Sequence, residues 1–292
     1  MTSFNWILLV LTAALFGSSF PMIRFAVADI PPLQLAAARV IVAAPVVVFF
    51  LYKSGRRLPP IGRKWAPLFA LGALTAAIPY FAIAWGQTHI SSSLGGILFA
   101  TIPLFTVLIA PVFTDDARVS ASQGVGLFVA FAGVVFAIGP SNLTSIGAQL
   151  TGAVITLVAA LSYAGGNIFA RTRGDLDPVQ MAAGQLTSAI IILVPLTAFT
   201  GGALTTVPGW PAIFATLAIG VISTAVPVLL MFTLVKRVGP TRASLLAFFI
   251  PVSAVLFGVT FLDETLGRVT ILGFGLIIGG AIWSTRQPSK TA

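Results

Sequence analysis

Arg39 is the one charge that falls deep inside an apolar run of this sequence, about seven residues from the end of that run, or roughly 10 Å at 1.5 Å per residue. An ionisable group at such depth is a functional candidate and could receive a carboxylate. The competing reading has it snorkel outward or hold a neighbouring helix's carbonyls. Ser18, Ser19, Tyr80, Trp85, Thr101, Tyr163, Asn167, Gln185, Ser244 and Ser253 also lie in apolar runs and could hydrogen-bond an ammonium or a carboxylate. Phe16, Phe20, Phe99, Phe248 and Phe249 offer an apolar wall. For each hydroxyl the structural alternative is a bond back to its own helix, and for each Phe it is packing. Tyr163 and Asn167 are four residues apart in Tyr-Ala-Gly-Gly-Asn, on one helical face, with glycines that permit close approach.

Among the prolines inside apolar runs, four form two pairs, Pro79 with Pro227 and Pro103 with Pro251, each pair 148 residues apart. A mid-helix proline removes a backbone donor and bends the helix. For Pro103 and Pro251 it frees the carbonyls of Phe99 and Ala247, which is tolerated beside a cavity or a polar neighbour. The pairs read either as static kinks or as hinges. His89, the single histidine, lies in Gln-Thr-His-Ile-Ser-Ser-Ser at the end of a run and reads as a loop residue before it reads as a gate or a pH sensor. Asp115-Asp116 and Asp263-Glu264 are expected to cap the helices that follow them. No Asp or Glu falls at depth in any run. With no cysteine, one histidine and no Gly-x-Ser-x-Gly, neither thiolate, metal-cluster nor serine-nucleophile chemistry has its residues.

The elements that must position these groups are set by composition. Hydrophobic residues are 58% and charged residues 8% of the 292, against roughly a quarter charged in soluble domains. This is an all-α integral membrane protein. Ten runs reach the roughly 20 residues needed to span a bilayer: about 4–27, 33–52, 65–86, 93–113, 120–138, 147–170, 179–199, 211–235, 242–262 and 268–285. Pro and Gly clusters such as Gly139-Pro140-Ser141-Asn142 and Gly239-Pro240 separate them. The net charge of +9 does not imply nucleic acid, because the bases flank the runs. Alternating the loops puts thirteen Lys and Arg on one side and two, Arg24 and Arg268, on the other. Both termini are therefore expected in the cytoplasm. The first run is read as an uncleaved span, since no basic segment precedes it.

The chain also repeats itself. Leu98, Ile102, Pro103, Val107, Leu108, Phe113 and Asp115 recur 148 residues later as Leu246, Ile250, Pro251, Val255, Leu256, Phe261 and Asp263. Pro32, Gln34, Ala36, Ala37 and Ala43 match Pro178, Gln180, Ala182, Ala183 and Ala189 at 146, and Trp65, Phe69, Ala70 and Ala73 match Trp210, Phe214, Ala215 and Ala218 at 145. A duplicated unit with an odd number of spans enters the membrane upside down the second time. The expected architecture is ten transmembrane helices as two inverted five-helix repeats, 1–140 and 141–292, with a site where they meet.

The run from Ala243 to Gly258, then Leu262-Asp-Glu-Thr-Leu-Gly and the helix of Gly273, Gly279 and Gly280, resembles the second repeat of EamA-type transporters of the drug/metabolite superfamily. Phe16-Gly-Ser-Ser-Phe and Ala38-Arg39 resemble its first. The resemblance covers the whole chain, with Asp116 where Glu is usual and Pro111 interrupting the fourth span. It implies two inverted five-helix units that usually export small metabolites, amino-acid exporters being prominent among them. The expected partners are thus a small-molecule substrate, amino acids first, and the lipid bilayer, with no nucleic acid, metal or cofactor; a monomer suffices. Polyamines would need an acid to hold the dication and nucleotide sugars would need bases at depth, so amphipathic amino acids suit the neutral, aromatic, hydroxyl-bearing set best. A membrane enzyme lacks its catalytic residues, and the inversion argues against a channel. The expected binding residues are Ser18, Ser19, Arg39, Tyr80, Trp85, Phe99, Thr101, Tyr163, Asn167 and Phe248, with hinges at Pro79, Pro103, Pro227 and Pro251.

Overall fold

The computed structural model describes residues 1–113, 120–139, 147–172, 177–200 and 207–284, and among them every regular element is helical. Eight helices are long and apolar enough to cross a membrane: α1 (Ser3–Ala26), α2 (Pro32–Lys53), α3 (Trp65–Gly86), α4 (Ser92–Phe113), α5 (Ala121–Ile138), α6 (Ala148–Arg171), α7 (Pro178–Phe199) and α8 (Trp210–Val238). Two shorter apolar helices follow, α9 (Leu246–Leu262) and α10 (Arg268–Ser284). The helix starts carry the expected chemistry. Ser120 and Asp177 form capping boxes with Gln123 and Gln180, and proline occupies the first turn of α2 and α7. Asp115-Asp116 and the Ser141-Asn142 turn lie outside the described residues.

Four helices are interrupted, and the interruptions follow the chain's small and cyclic residues. Pro21 cannot donate to Gly17, and α1 breaks at Ser18 between Gly17 and Ser19. In α3 a π-turn at Ala73–Ala77 precedes Pro79, and in α8 a π-turn at Val221–Ala225 precedes Pro227, 148 residues on. A π-turn widens the helix by one residue, which is how each proline is taken in without a stop. The pair Pro103 and Pro251 behaves differently from the matched kinks expected of it. The chain leaves helical geometry at Ala100-Thr101, immediately before Pro103, whereas α9 runs unbroken through Pro251 and its irregular turn is at Ser244-Leu245.

Packing ties the two halves of the chain together at glycines. A Cβ on Gly126 of α5 would lie 2.6 Å from Ser284 N, and one on Gly133 would lie 2.7 Å from Gly273 O and Ile277 N. The order of these contacts makes α5 and α10 antiparallel. Gly126 and Gly133 stand 147 residues before Gly273 and Gly280, so the same seven-residue glycine spacing serves both helices. Helices α2 and α7 are antiparallel too, since Arg56 and Arg57 beyond the end of α2 meet Asp177 and Gln180 at the start of α7. Between them sits the largest core cluster, built on Val40, Ala43, Val47 and Leu51 against Ala183, Leu186, Ala189 and Leu193.

Candidate functional site

Arg39 is a charge held in the interior. Its side chain is buried, its guanidinium stacks 3.8 Å above the Tyr80 ring, and its Nε donates to Thr224 Oγ1 at 2.8 Å. Thr224 lies in the π-turn of α8 and passes its own hydrogen to Ile219 O, five residues back, at 2.7 Å. The widened turn thus presents an acceptor to a helix of the other half. Neither snorkelling nor carbonyl binding, the two alternatives to a carboxylate, describes this contact. No carboxylate pairs with Arg39 among the described residues.

The same arrangement recurs with the halves exchanged. Gln185 of α7 stands 146 residues after Arg39, and its Oε1 lies 3.1 Å from Thr75 Oγ1 in the π-turn of α3. Glycines admit both approaches: a Cβ on Gly72 would come 2.7 Å from Gln185 O, and one on Gly220 would come 2.5 Å from the Val42 side chain. Each half therefore inserts one polar side chain into the widened turn of the other, one of them charged and one neutral.

Aromatic rings extend from Arg39 toward α1 and α4. Tyr163 packs against the core cluster that holds Tyr80. Tyr163 meets Phe99 edge to face at 5.2 Å, and Phe99 meets Phe20 at 5.6 Å. Phe16 packs on the cluster that holds Tyr80. Ser18, at the break in α1, shares a hydrogen bond of 2.8 Å with Ser223, the residue beside Thr224. Arg39, Tyr80, Tyr163, Phe99 and Ser18 are thus gathered from five helices.

The other expected residues are placed as follows. Ser19 and Thr101 are buried and bond back to Phe16 O and Leu98 O, the alternative that applies to most helical hydroxyls. Trp85 stacks on His89 at 4.2 Å near the end of α3. Asn167 is exposed one turn from Tyr163. Phe248 packs on the cluster of Leu104, Leu127 and Ala281, and Phe249 meets Trp6 at 6.4 Å, in clusters other than those that hold Phe16, Phe20 and Phe99. Pro79, Pro227 and Pro251 are buried and Pro103 half-buried. Nothing about Thr224, Ser223, Gly72 and Gly220 taken singly marks them in the sequence, although the 148-residue offset linking Pro79 to Pro227 also links the two glycines.

A cavity of about 380 Å³ lies between α2, α7 and α8. Its lining includes Arg56 and Lys236 at the helix ends and reaches Val226, two residues from Thr224. Arg56 pairs with Asp177 at 3.4 Å beside it. The opposite end of the helices corrects an expectation. Glu264 does not cap α10, the helix that follows it. Asp263 adopts a left-handed conformation (φ 51°) that ends α9, and Glu264 instead accepts from Ser92 N at 2.7 Å and Ser93 N at 2.8 Å, at the start of α4.

Two stretches, residues 4–139 and 150–286, match the model of the EamA-like transporter family. Among similar proteins, the uncharacterized inner membrane transporter YedA of Escherichia coli K12 is 28% identical over 93% of this chain and 87% of its own length. An uncharacterized transporter of Archaeoglobus fulgidus is 27% identical over 94% and 96%, and the uncharacterized transporter YoaV of Bacillus subtilis is 24% identical over 93% of each chain. A solved crystal structure superimposes with a TM-score of 0.67 at 17% identity, covering 95% of both chains, which speaks to the fold alone.

Proposed function

This chain belongs to the EamA-like transporter family, and from that premise we propose that it exports amino acids or similar small metabolites across the cytoplasmic membrane by alternating access. The ten apolar helices are read as ten spans in two inverted units, 1–140 and 141–292. Two observations support the inversion: repeat-related α5 and α10 are antiparallel, and so are α2 and α7. The thirteen-to-two split of basic residues puts both termini in the cytoplasm.

The observation that carries the reading is Arg39, buried where the two halves exchange polar contacts and facing no carboxylate among the described residues. A guanidinium held out of water is costly until an anion joins it. A substrate carboxylate would supply that anion, with Tyr80 and Tyr163 beside it to hydrogen-bond and Phe99 and Phe20 to cover an apolar side chain. The cavity ending at Arg56 and Lys236 is the approach from the cytoplasm. With all acids of the described residues at helix ends, transport is facilitated or weakly coupled.

Efflux from proteoliposomes loaded with a panel of labelled amino acids, and of other metabolites and drugs, tests the substrate class. Movement of at least one amino acid, with counterflow persisting in the absence of any proton or sodium gradient, is the expected result. No amino acid moving while another metabolite does would reject it.

A further inference from the structure

At the end of the molecule away from Arg56 and Lys236, the two halves meet through a carboxylate. Glu264, just past α9, sends its carboxylate onto the first two backbone N–H groups of α4. Those donors have no partner inside their own helix, and the helix end carries partial positive charge, so an anion there is favoured. Hydrogen bonds to a carboxylate are about twice as strong as neutral ones. Gly258 makes the docking sterically feasible. A Cβ at that position would lie 2.6 Å from Glu264 Oε2 and 2.8 Å from Ser92 Oγ, and would clash with Ser93 Oγ.

Around this favourable contact the interface is poorly satisfied. The Ser92 and Ser93 hydroxyls are buried without a hydrogen-bond partner, and both residues are fully inaccessible. Each such group costs about 1–3 kcal/mol relative to its hydrated state. A permanently closed packing surface has no reason to retain them, whereas a surface that parts and admits water solvates all of them each time it opens. Closure is then a balance in which one carboxylate holds together faces that water would otherwise separate.

We propose that Glu264 is the latch of the outer gate: docked on the start of α4 it keeps the site closed from outside, and its release exposes Ser92 and Ser93 to water. This deepens the transport reading and rests on its orientation. The two classes of change therefore act with opposite sign. Removing the latch opens the end, and removing an orphaned hydroxyl closes it further.

The chain contains no cysteine, so single-cysteine labelling needs no prior engineering. Ser93→Cys, beneath the latch, is the reporter, and Thr88→Cys, exposed nearby, is the reference. A membrane-impermeant maleimide is added to intact cells. Relative to Thr88→Cys, labelling of Ser93→Cys is expected to rise at least fivefold when combined with Glu264→Gln or with Gly258→Ala, and to fall when combined with Ser92→Ala. Unchanged or reduced labelling with Glu264→Gln overturns the proposal, as does increased labelling with Ser92→Ala, a variant that removes only an unpartnered atom and keeps the test decisive should Glu264→Gln express poorly. Failure of the orientation is read separately, as a Thr88→Cys reference that the external reagent does not reach. Failure of the substrate reading is separate too, because the labelling uses no substrate.

Discussion

Arg39 Nε donates to Thr224 Oγ1 at 2.8 Å, joining the second helix of the first half to the widened turn of the eighth. Its counterpart, Gln185 with Thr75 at 3.1 Å, joins the seventh helix to the widened turn of the third. In the bundle these contacts lie at nearly matching places, Thr75 corresponding to Ser223 beside Thr224, and are unequal in charge. The two halves therefore supply the geometry twice, and the sequence places a cation at only one of the two positions, which makes the two contacts electrostatically unequal.

That asymmetry makes Arg39→Gln an informative variant, since it installs the side chain that the other half already accommodates at the equivalent position. Folding is expected to survive, with the melting temperature in detergent within a few degrees of the parent. Affinity for carboxylate substrates is expected to fall about tenfold to a hundredfold, the loss of one charge-assisted hydrogen bond of roughly 1.5–3 kcal/mol. Binding isotherms and efflux on the same preparation separate the two effects. Arg39→Lys recovers little, because an ammonium cannot both reach Thr224 and lie flat on the Tyr80 ring.

The glycines give a packing prediction with a built-in control. Gly220→Ala would drive a methyl into the Val42 side chain, and Gly72→Ala would drive one against the Gln185 carbonyl and Ser188. Each is expected to cost about 1–3 kcal/mol, as overpacking does. Gly275 and Gly279 on α10 have open space where a Cβ would go, and alanine there is expected to be neutral or stabilising by up to about 1 kcal/mol through helix propensity. Thermal unfolding monitored by size-exclusion chromatography ranks the four variants. Equal losses at all four positions would contradict the close approach at the first two.

Much of this was legible beforehand. Hydropathy located all ten apolar helices to within four residues of their observed ends, because a long run of apolar side chains has few other structures open to it in a bilayer. Arg39, Tyr80, Tyr163 and Phe99 were selected by being polar or aromatic at depth. The π-turns were not legible, since Ala-Leu-Thr-Ala-Ala and Val-Ile-Ser-Thr-Ala are ordinary helical residues and only the proline beyond each hints at a change of register. Phe248 and Phe99 lie at positions the 148-residue offset nearly equates, yet the helix breaks before Pro103 and not at Pro251, so the two rings end in different clusters. Glu264 misled for a related reason. Local sequence places an acid before a helix and suggests a cap, while the left-handed Asp263 redirects the chain toward a helix start 172 residues away in sequence.

Asp177 carries two contacts that substitution can pull apart. It pairs with Arg56 at 3.4 Å with both side chains about one-third exposed, and it also accepts from Val179 N at 2.9 Å as the cap of α7. A partly exposed ion pair contributes about 0–1 kcal/mol, whereas losing an N-cap costs about 1 kcal/mol. Asp177→Asn keeps a capping oxygen and is expected to change the melting temperature little. Asp177→Ala is expected to lower stability by about 1 kcal/mol, and Arg56→Ala by less than that. The pair flanks the cavity, and Asp177→Asn and Arg56→Ala are both expected to raise the maleimide reactivity of a Thr233→Cys reporter in membrane vesicles while leaving stability nearly unchanged. Stability losses of equal size in Asp177→Asn and Asp177→Ala would mean that the ion pair, and not the cap, holds this end together.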